Sequence, residues 1–511
     1  MKKITLCIAT FALATGAFAQ KNNNPEKYAK YISAEDAKKH LSILASDAFE
    51  GRETGKPGAE KAANYIAGEF KKLGLQAPVN GSYFLDVPLV ENSTIISFTA
   101  NGASFANGQD FFSRGGASDK TITAAEVVFV GYGTEAEIGN TDLAGKILLW
   151  INEDKPEAGK TPNVSYRLST ARTQIVKNLV SKNPALILAA NADIADLMKK
   201  FGSSVIGGRL TIKTDATKPA STQAPTLNIT TAMADQLVKS TGKTFSDLKA
   251  AAAQSIKAEV NVSFKSETKD VKAVDVLGYL PGTDLKDEVL VFSAHYDHIG
   301  LTTKGTDKVN NGADDDGSGT TGILEIARAF TQAKKDGHGP RRSILFLGNV
   351  GEEKGLFGSE YYTDHPVFPL ANTITDLNID MIGRVGEEYI GKPDSANYVY
   401  TIGSAMLSKE LHQINEDANA KYIKINQDYK YDDPNDPNRF YYRSDHYNFA
   451  KHGVPIIFYF NGVHADYHQP GDEVSKINFP LLAKRAQLVY YTGWELANRD
   501  KRPVVDAPAT K

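Results

Sequence analysis

The sequence predicts an α/β protein with a mostly parallel central sheet flanked by helices and a second, β-rich domain inserted into the chain. Two observations predict this class. After about residue 275, runs nearly continuous in Val, Ile, Leu and Phe alternate with helical patterns, which is typical of a sheet covered on both faces. Between residues 124 and 265, short apolar runs and turn residues follow a different rhythm. A chain of 511 residues is also too long for one compact core.

The first element, residues 1–19, is predicted to be a secretory signal peptide. Lys2 and Lys3 precede an apolar run that ends in Ala17-Phe18-Ala19, and small residues of this kind mark signal cleavage. The run is shorter than the roughly 20 apolar residues that a membrane-spanning helix needs. We therefore expect a secreted or periplasmic protein without stable membrane insertion.

Composition excludes several functions. The formal net charge is −3, which gives no electrostatic basis for binding nucleic acid. The single cysteine, Cys7, lies inside the predicted signal peptide, so the mature chain has no thiol for a disulfide, a metal site or a nucleophile. Any chemistry must use oxygen and nitrogen groups.

Three further segments are predicted after the signal peptide: residues 20–123 form the N-terminal part of the α/β domain, residues 124–265 the insert, and residues 266–511 the main part of the α/β domain. Helical spacing between Ser33 and Leu75 predicts two helices separated by a glycine-rich loop. The strands of the main part are predicted at Val289–Phe292, Ser343–Leu347, Ile374–Ile379 and Val454–Phe460, with a helix at Ser318–Ala329.

A candidate metal ligand follows the first of these strands in His295-Tyr296-Asp297-His298. Side chains alternate along an extended chain, so His295 and Asp297 are expected on the same side. A lone histidine is more often structural, but a metal-bound imidazole usually gives its other N–H to a carboxylate. Asp297 is suited to that role.

Three adjacent carboxylates, Asp314, Asp315 and Asp316, stand in a glycine-bounded loop before the predicted helix. One of them could simply cap the helix. Like charges at neighbouring positions repel, however, and a bound cation would relieve the repulsion. The residues alone leave both interpretations open.

Acids and histidines also follow the other strands. Glu352 and Glu353 stand side by side in a glycine-rich loop, where one could bind a metal while the other takes a proton. Asp380 ends an apolar strand, where burial without a partner would be costly. After the last strand, the pattern does not choose between His464 and His468 as a ligand.

Taken together, these clusters resemble the M28 family of zinc aminopeptidases. The matching motifs are His295-Tyr296-Asp297, Gly312-Ala313-Asp314-Asp315-Asp316-Gly317-Ser318-Gly319, Glu352-Glu353, Asn378-Ile379-Asp380 and Tyr467-His468-Gln469-Pro470. Phe49-Glu50-Gly51-Arg52 is similar to the family's N-terminal region. Around Phe129–Gly133 and Leu143–Ile147, the insert looks like a protease-associated domain, a small module that often covers the catalytic cleft.

The resemblance implies two zinc ions and peptide substrates with a free N-terminus. His295 and Asp380 would bind one zinc, Glu353 and His468 the other, and Asp315 both. Asp315 is preferred to its neighbours because it fits the family's Gly-Ala-x-Asp register.

The resemblance also implies catalytic roles for three residues. Glu352 would be the general base, Asp297 would orient His295, and Tyr467 would donate to the developing oxyanion.

Alternatives with related architecture stay open. A glutaminyl cyclase would use a related ligand set with one zinc, a carboxypeptidase would act at acidic C-termini, and a receptor-like protein would bind without catalysis. Tyr441-Tyr442 and Arg443-Ser444-Asp445-His446 are candidates for the specificity pocket, although a surface loop would have the same pattern.

Overall fold

A computed structural model describes residues 24–113, 118–159, 161–205, 207–214 and 223–507. The predicted signal peptide at residues 1–19 lies outside this range. The chain divides into two compact units. The first unit comprises Met1–Val87 and Lys272–Lys511, and the inserted unit comprises Pro88–Val271.

Strands and helices in the described residues are numbered in chain order. The strands are β1 (Phe84–Asp86), β2 (Leu89–Ala100), β3 (Ala103–Phe105), β4 (Phe111–Ser113), β5 (Lys120–Phe129), β6 (Ile147–Ile151), β7 (Leu186–Ala190), β8 (Arg209–Ile212), β9 (Thr226–Ile229), β10 (Gln254–Val271), β11 (Val274–Leu280), β12 (Leu285–His295), β13 (Arg342–Asn349), β14 (Thr373–Ile379), β15 (Tyr398–Ile402), β16 (Asn426–Asp428) and β17 (Ile456–Phe460). The α-helices are α1 (Pro25–Ala29), α2 (Ala34–Leu44), α3 (Pro57–Leu73), α4 (Glu135–Ile138), α5 (Thr170–Ser181), α6 (Asp193–Val205), α7 (Thr231–Val238), α8 (Gly317–Lys335), α9 (Phe357–Asp364), α10 (Lys409–Ala418), α11 (His446–Lys451) and α12 (Phe479–Asn498).

The sheet of the first unit has the strand order β1-β11-β13-β12-β14-β17-β15-β16. Its four central strands, β13, β12, β14 and β17, are mutually parallel. Antiparallel pairing occurs on either side of this centre. β1 pairs with β11 and β11 with β13 on one side, and β15 pairs with β17 on the other. The sheet is therefore mixed, and the predicted parallel arrangement holds at its centre. The carboxyl ends of the four central strands meet at one edge.

Helices cover both faces of this sheet. Successive side chains of a strand point to opposite faces, so each strand packs against helices on both sides. Val291 on β12 packs in a buried cluster that includes Tyr362 of α9 and Phe449 of α11. On the opposite face, the ring of its neighbour Phe292 lies 5.8 Å from that of Phe330 on α8. Burying each such side chain contributes about 1.5–3 kcal/mol. The continuous apolar runs in the sequence reflect this two-sided burial.

The inserted unit is built on a second sheet, of order β3-β2-β10-β5-β6-β7-β9-β4, with β8 beside β2. Its bounds, Pro88–Val271, are wider than the predicted 124–265. The reason is that β2 pairs with the second half of β10 along its whole length, from Leu89 opposite Val271 to Ala100 opposite Val260. Residues assigned from the sequence to the first unit therefore belong to the insert.

The two helices predicted between Ser33 and Leu75 are confirmed as α2 and α3. The Ser33 hydroxyl accepts a hydrogen bond from the Asp36 N–H at the start of α2. Gly74 ends α3 with a φ of 82°, a left-handed conformation that favours glycine. Among the described residues, no helix is both long and apolar enough to cross a membrane.

Candidate metal centre

The carboxyl ends of the central strands bring the predicted ligands together. β12 ends at His295, and Asp380 directly follows β14. Glu352 and Glu353 come three and four residues after the end of β13. His468 lies in the segment after β17. Since these strands are parallel neighbours, their terminal segments meet at the edge where open α/β sheets bind ligands.

Hydrogen bonds distinguish the three adjacent aspartates. The Asp316 carboxylate caps α8, accepting from the Gly319 N–H at 2.8 Å and from the Met381 N–H at 3.0 Å. The Asp314 carboxylate accepts from the Gly383 N–H at 2.6 Å. Asp315, between them, is the aspartate whose carboxylate faces His295, His298 and His468.

One group of potential ligands consists of His295, Asp315 and Asp380. Nε2 of His295 lies 3.3 Å from Oδ1 of Asp315 and 3.7 Å from Oδ2 of Asp380. A ligand atom from each residue lies within 4.8 Å of the other two. All three residues are buried, so the group forms an enclosed site.

A second group consists of His298, Asp315 and Glu353. Nδ1 of His298 lies 2.7 Å from Oε1 of Glu353. His468 completes this side, because its Nε2 lies 3.1 Å from Oδ2 of Asp315 and 3.1 Å from Oε2 of Glu353. Asp315 is common to both groups.

The ligand atoms fit a bound cation. His295 Nε2, His298 Nδ1, His468 Nε2, Asp315 Oδ2 and Glu353 Oε1 are buried and have no hydrogen-bond partner. Buried polar atoms are ordinarily paired, so unpaired nitrogen and oxygen atoms that converge point to a ligand. Imidazole and carboxylate together suit zinc.

Glu352 lies beside the first group but is held differently. Its Oε2 is 3.9 Å from Nε2 of His295, and its backbone N–H donates to Oδ1 of Asp297 at 3.2 Å. Burial raises the pKa of the Glu352 carboxyl well above its usual range, and the neighbouring charges of Asp380 and Glu353 add to the rise.

Asp297 lies against His295, although not in the expected way. Nδ1 of His295 is 3.0 Å from the backbone oxygen of Asp297 but 3.7 Å from its carboxylate Oδ1. The carboxylate accepts instead from the hydroxyl of Thr54 at 2.6 Å and from the Glu352 N–H. The carbonyl is therefore the nearer acceptor for the imidazole, and the carboxylate fixes the backbone of Glu352.

The electrostatics of the second group favour positive charge. Burial lowers the pKa of His468, but the carboxylates of Asp315 and Glu353 outweigh it and raise this pKa to about 10. Burial likewise raises the pKa of Asp315, yet contacts with His295 and His468 hold it well below its usual range. The carboxylates that stabilise a proton on His468 would thus stabilise a bound metal cation in the same way.

A pocket opens beside Asp315, Glu352 and Asp380. Its remaining wall is mostly apolar and is formed by Met381, Phe440, Phe458, Phe460 and Val463, together with Arg443 and Tyr467. The ring of Tyr467 stacks on that of His468 with 3.9 Å between centroids, and its hydroxyl accepts from Arg443 at 3.3 Å. Of the predicted pocket residues, Arg443 lines the pocket.

The sequence left His464 and His468 as alternatives, and they face different partners. Nε2 of His464 lies 3.2 Å from Oδ2 of Asp314 and 3.9 Å from Oδ1 of Asp472. Neither acid belongs to the two ligand groups. His468 is therefore the histidine of this segment that reaches Asp315 and Glu353.

Sequence reasoning missed two residues of the site. His298 belongs to the second group, and its only signal was a second imidazole three positions after His295. Arg52 is buried, and its guanidinium donates to the backbone oxygens of Tyr296, Asn311 and Gly312 at 2.7, 2.6 and 2.8 Å. It thereby holds together the two loops that carry His298 and Asp315.

Comparison with curated proteins finds relatives over about half of the chain. It is 26% identical over 258 residues to Aminopeptidase YwaD of Bacillus subtilis, covering 48% of this chain and 49% of that protein. It is 28% identical over 258 residues to a probable leucine aminopeptidase 2 of Aspergillus oryzae, covering 45% and 46% of the two chains. The chain thus spans about half the length of these relatives.

Solved structures share the mixed α/β fold. The aminopeptidase from Aneurinibacillus sp. strain AM-1 matches with a TM-score of 0.53 and 20% identity, covering 96% of this chain and 100% of that one. BSAP, a zinc aminopeptidase from Bacillus subtilis, matches with a TM-score of 0.51 and 18% identity, covering 94% and 97%. Residues 275–493, which carry every strand of the parallel centre and both ligand groups, match the profile of peptidase family M28. Over this segment the chain is therefore similar to peptidase family M28.

Proposed function

We propose that the protein is a di-zinc aminopeptidase. The observation that carries the proposal is the pair of buried ligand groups that share Asp315 and lie next to the free carboxyl of Glu352. His295 and Asp380 would hold one zinc with Asp315, and Glu353 and His468 would hold the other with Asp315. The relatives' names, aminopeptidase and leucine aminopeptidase, support the same activity.

The chemistry divides between the metal and the chain. Zinc supplies Lewis acidity, which polarises a peptide carbonyl and makes water more acidic. Glu352 takes the proton of the attacking water at its carboxylate and passes it to the leaving amine. The Tyr467 hydroxyl donates a hydrogen bond to the oxygen on which negative charge develops. Asp297 keeps Glu352 in position through the backbone N–H of that residue.

Substrate preference follows from the pocket beside Glu352. Met381, Phe440, Phe458 and Phe460 would receive an apolar side chain of the N-terminal residue. We therefore propose peptides with an apolar N-terminal residue as the preferred substrates.

Digestion of matched peptide sets with the zinc-loaded protein tests this proposal. Peptides with a free N-terminus should lose N-terminal residues in order, whereas N-acetylated versions should remain intact. C-terminal amidation should have no effect. Loss of C-terminal residues would instead identify a carboxypeptidase, pyroglutamate formation on N-terminal Gln with one zinc per chain would identify a glutaminyl cyclase, and an absence of turnover would favour a receptor-like protein.

We propose that the inserted unit is a protease-associated-like module. It interrupts the first unit between Val87 and Lys272 and contains the resembling segments at Phe129–Gly133 and Leu143–Ile147. Replacing Pro88–Val271 with a short Gly-Ser linker should preserve zinc binding and change the ratio of kcat/KM between long and short peptides. An unchanged ratio would contradict a role in controlling access.

We also propose export with cleavage after Ala19. The supporting observation is the order of charged, apolar and small residues in the first 19 positions. Expression in a bacterial host and N-terminal sequencing of the exported protein should give a chain that starts at Gln20. Retention of an intact N-terminus in the cytoplasm would contradict the proposal.

A further inference from the structure

His298 is a buried histidine at the edge of the metal centre with an unusual contact. It lies three residues beyond the end of β12, and its Nδ1 is 2.7 Å from Oε1 of Glu353 and 3.7 Å from Oδ2 of Asp315. Gly312 makes room for the ring, because a Cβ at that position would lie 2.6 Å from two of its carbon atoms. With a φ of 57°, Gly312 also has a backbone conformation that favours glycine.

The short contact between His298 and Glu353 is not a well-aligned hydrogen bond. His298 Nδ1 and Glu353 Oε1 are both buried, and neither has a hydrogen-bond partner of acceptable geometry. Two electron-rich atoms at this distance repel each other unless a positive charge lies between them. The contact therefore requires a positive charge at this position, which either a bound metal ion or a proton on Nδ1 would supply.

The other imidazole of this group approaches the opposite oxygen of the same carboxylate. Nε2 of His468 lies 3.1 Å from Oε2 of Glu353, and it too is buried without a hydrogen-bond partner. The two rings lie at 70° to each other with 5.8 Å between centroids. Two imidazoles and two carboxylates thus surround one position, which is the number of ligands that zinc takes in closed protein sites.

We propose that His298 is an additional ligand, through Nδ1, of the metal held by Asp315, Glu353 and His468. The inference rests on the proposed function because it requires a metal centre. It makes the two positions unequal: the second has two imidazoles, while the first has only His295 beside its carboxylates. Nitrogen ligands favour zinc and cobalt over magnesium and manganese, so the second position is the tighter and more selective one.

A positioning role is the main alternative. In that case His298 would donate a hydrogen bond to Glu353 and orient it without touching the metal. The two roles differ in the number of imidazoles bound to zinc: three imidazoles for two zinc ions if His298 is a ligand, two if it orients Glu353.

X-ray absorption spectroscopy of the zinc-loaded full chain tests the proposal by counting bound imidazoles. We expect three per zinc pair in the wild type and two in His298→Asn, which keeps a donor near Glu353 but is a poor zinc ligand. Competition with a chelator should show at least about 100-fold weaker binding of one zinc in His298→Asn, with the other retained. His464→Asn, which replaces a buried histidine outside both groups, should keep three.

The wild-type count alone decides the issue if a variant does not fold. A count of two imidazoles in the wild type, unchanged in His298→Asn, would overturn the role of His298 as a ligand and leave the proposed function intact. A wild type that binds fewer than two zinc ions, or whose peptidase activity survives their removal, would overturn the proposed function itself.

Discussion

The metal centre of the first unit and the buried arginine of the inserted unit differ in how their polar groups are paired. In the inserted unit, the guanidinium of Arg172 is buried but donates to the backbone oxygens of Asn152 and Ser165 at 3.0 and 2.7 Å. It also forms an ion pair with Asp154 at 2.9 Å. At the metal centre, by contrast, Nε2 of His295, Nδ1 of His298, Oδ2 of Asp315 and Oε1 of Glu353 are buried without hydrogen-bond partners.

This difference separates polar groups that stabilise the fold from those that await a ligand. All ten histidines of the chain lie outside residues 88–271. Within the described part of those residues, no His, Asp and Glu side chains converge as a metal site. A buried polar group that is paired contributes to stability, whereas several unpaired ones that converge form a site.

Removal of zinc should have the largest effect, and it should affect the first unit but not the inserted unit. Treatment with a chelator is expected to abolish peptidase activity, and added zinc should restore it. Binding at 100 to 1,000 times Kd would stabilise the first unit by about 3–4 kcal/mol. Hydrogen exchange should therefore increase on zinc removal near His295, Asp315 and Asp380 and stay unchanged across residues 88–271. Equal changes in both units would break the comparison.

Glu352→Gln should give the next largest effect. Because Gln cannot take a proton, we expect kcat to fall by about 100- to 10,000-fold. Zinc content, measured by elemental analysis, should stay at the wild-type value. Glu353→Gln is the matched contrast, since it should release zinc. A Glu352→Gln enzyme with near-normal turnover would exclude Glu352 as the base.

Arg172→Met tests the opposite case, a paired buried group in the inserted unit. Removing the guanidinium takes a donor away from Oδ1 of Asn152 and from the backbone oxygen of Ser165, so we expect the unfolding free energy of this unit to fall by about 2–4 kcal/mol. Zinc content should not change. Lys177→Met, at an exposed position of the same helix, should have little effect in the same urea titration. Loss of zinc from Arg172→Met would contradict the separation of the two units.

Glu325, on α8, is a buried acid of the first unit that lies outside both ligand groups. Burial raises its pKa from 4.5 to about 7. Because the folded state favours the neutral carboxyl, Glu325 contributes its full stabilisation of the folded state below pH 4.5. This contribution is lost as the pH rises through 7. Relative to Glu325→Gln, wild-type stability should fall by about 3 kcal/mol over this range.

Urea unfolding of the zinc-free protein at pH 5 and pH 8 measures this difference. The exposed Glu35→Gln should show no such pH dependence. If wild-type stability relative to Glu325→Gln changed as little between pH 5 and pH 8 as it does relative to Glu35→Gln, the pKa of Glu325 would not be raised by burial.

Most of the central sheet could be predicted from the sequence, since strands buried on both faces leave continuous apolar runs such as Val289–Phe292. The limits of the insert could not be predicted. Leu89–Ala100 alternates in a way that fits either unit, and only pairing with the distant β10 assigns it to the insert. Such pairing depends on tertiary structure, which local patterns do not contain.

The candidate site was predictable as a set of residue types but not in every position. The choice among the three aspartates depends on the N–H groups of Met381 and Gly383, which are far away in sequence. His298 was missed because alternation was extended past His295, where β12 ends. Beyond that residue the chain turns, and the N–H of His298 donates to the backbone oxygen of Arg52 at 3.2 Å.

The pairing of β2 with β10 has a consequence for folding. Strands β1 and β11 are neighbours in one sheet although the whole insert separates them along the chain. Closing so long an unfolded loop would cost roughly 5 kcal/mol of chain entropy. Within the insert, however, Leu89 already lies opposite Val271. An insert that folds first therefore brings its two ends side by side and reduces that loop to a few residues, so that the interruption adds little entropic cost to the assembly of the sheet.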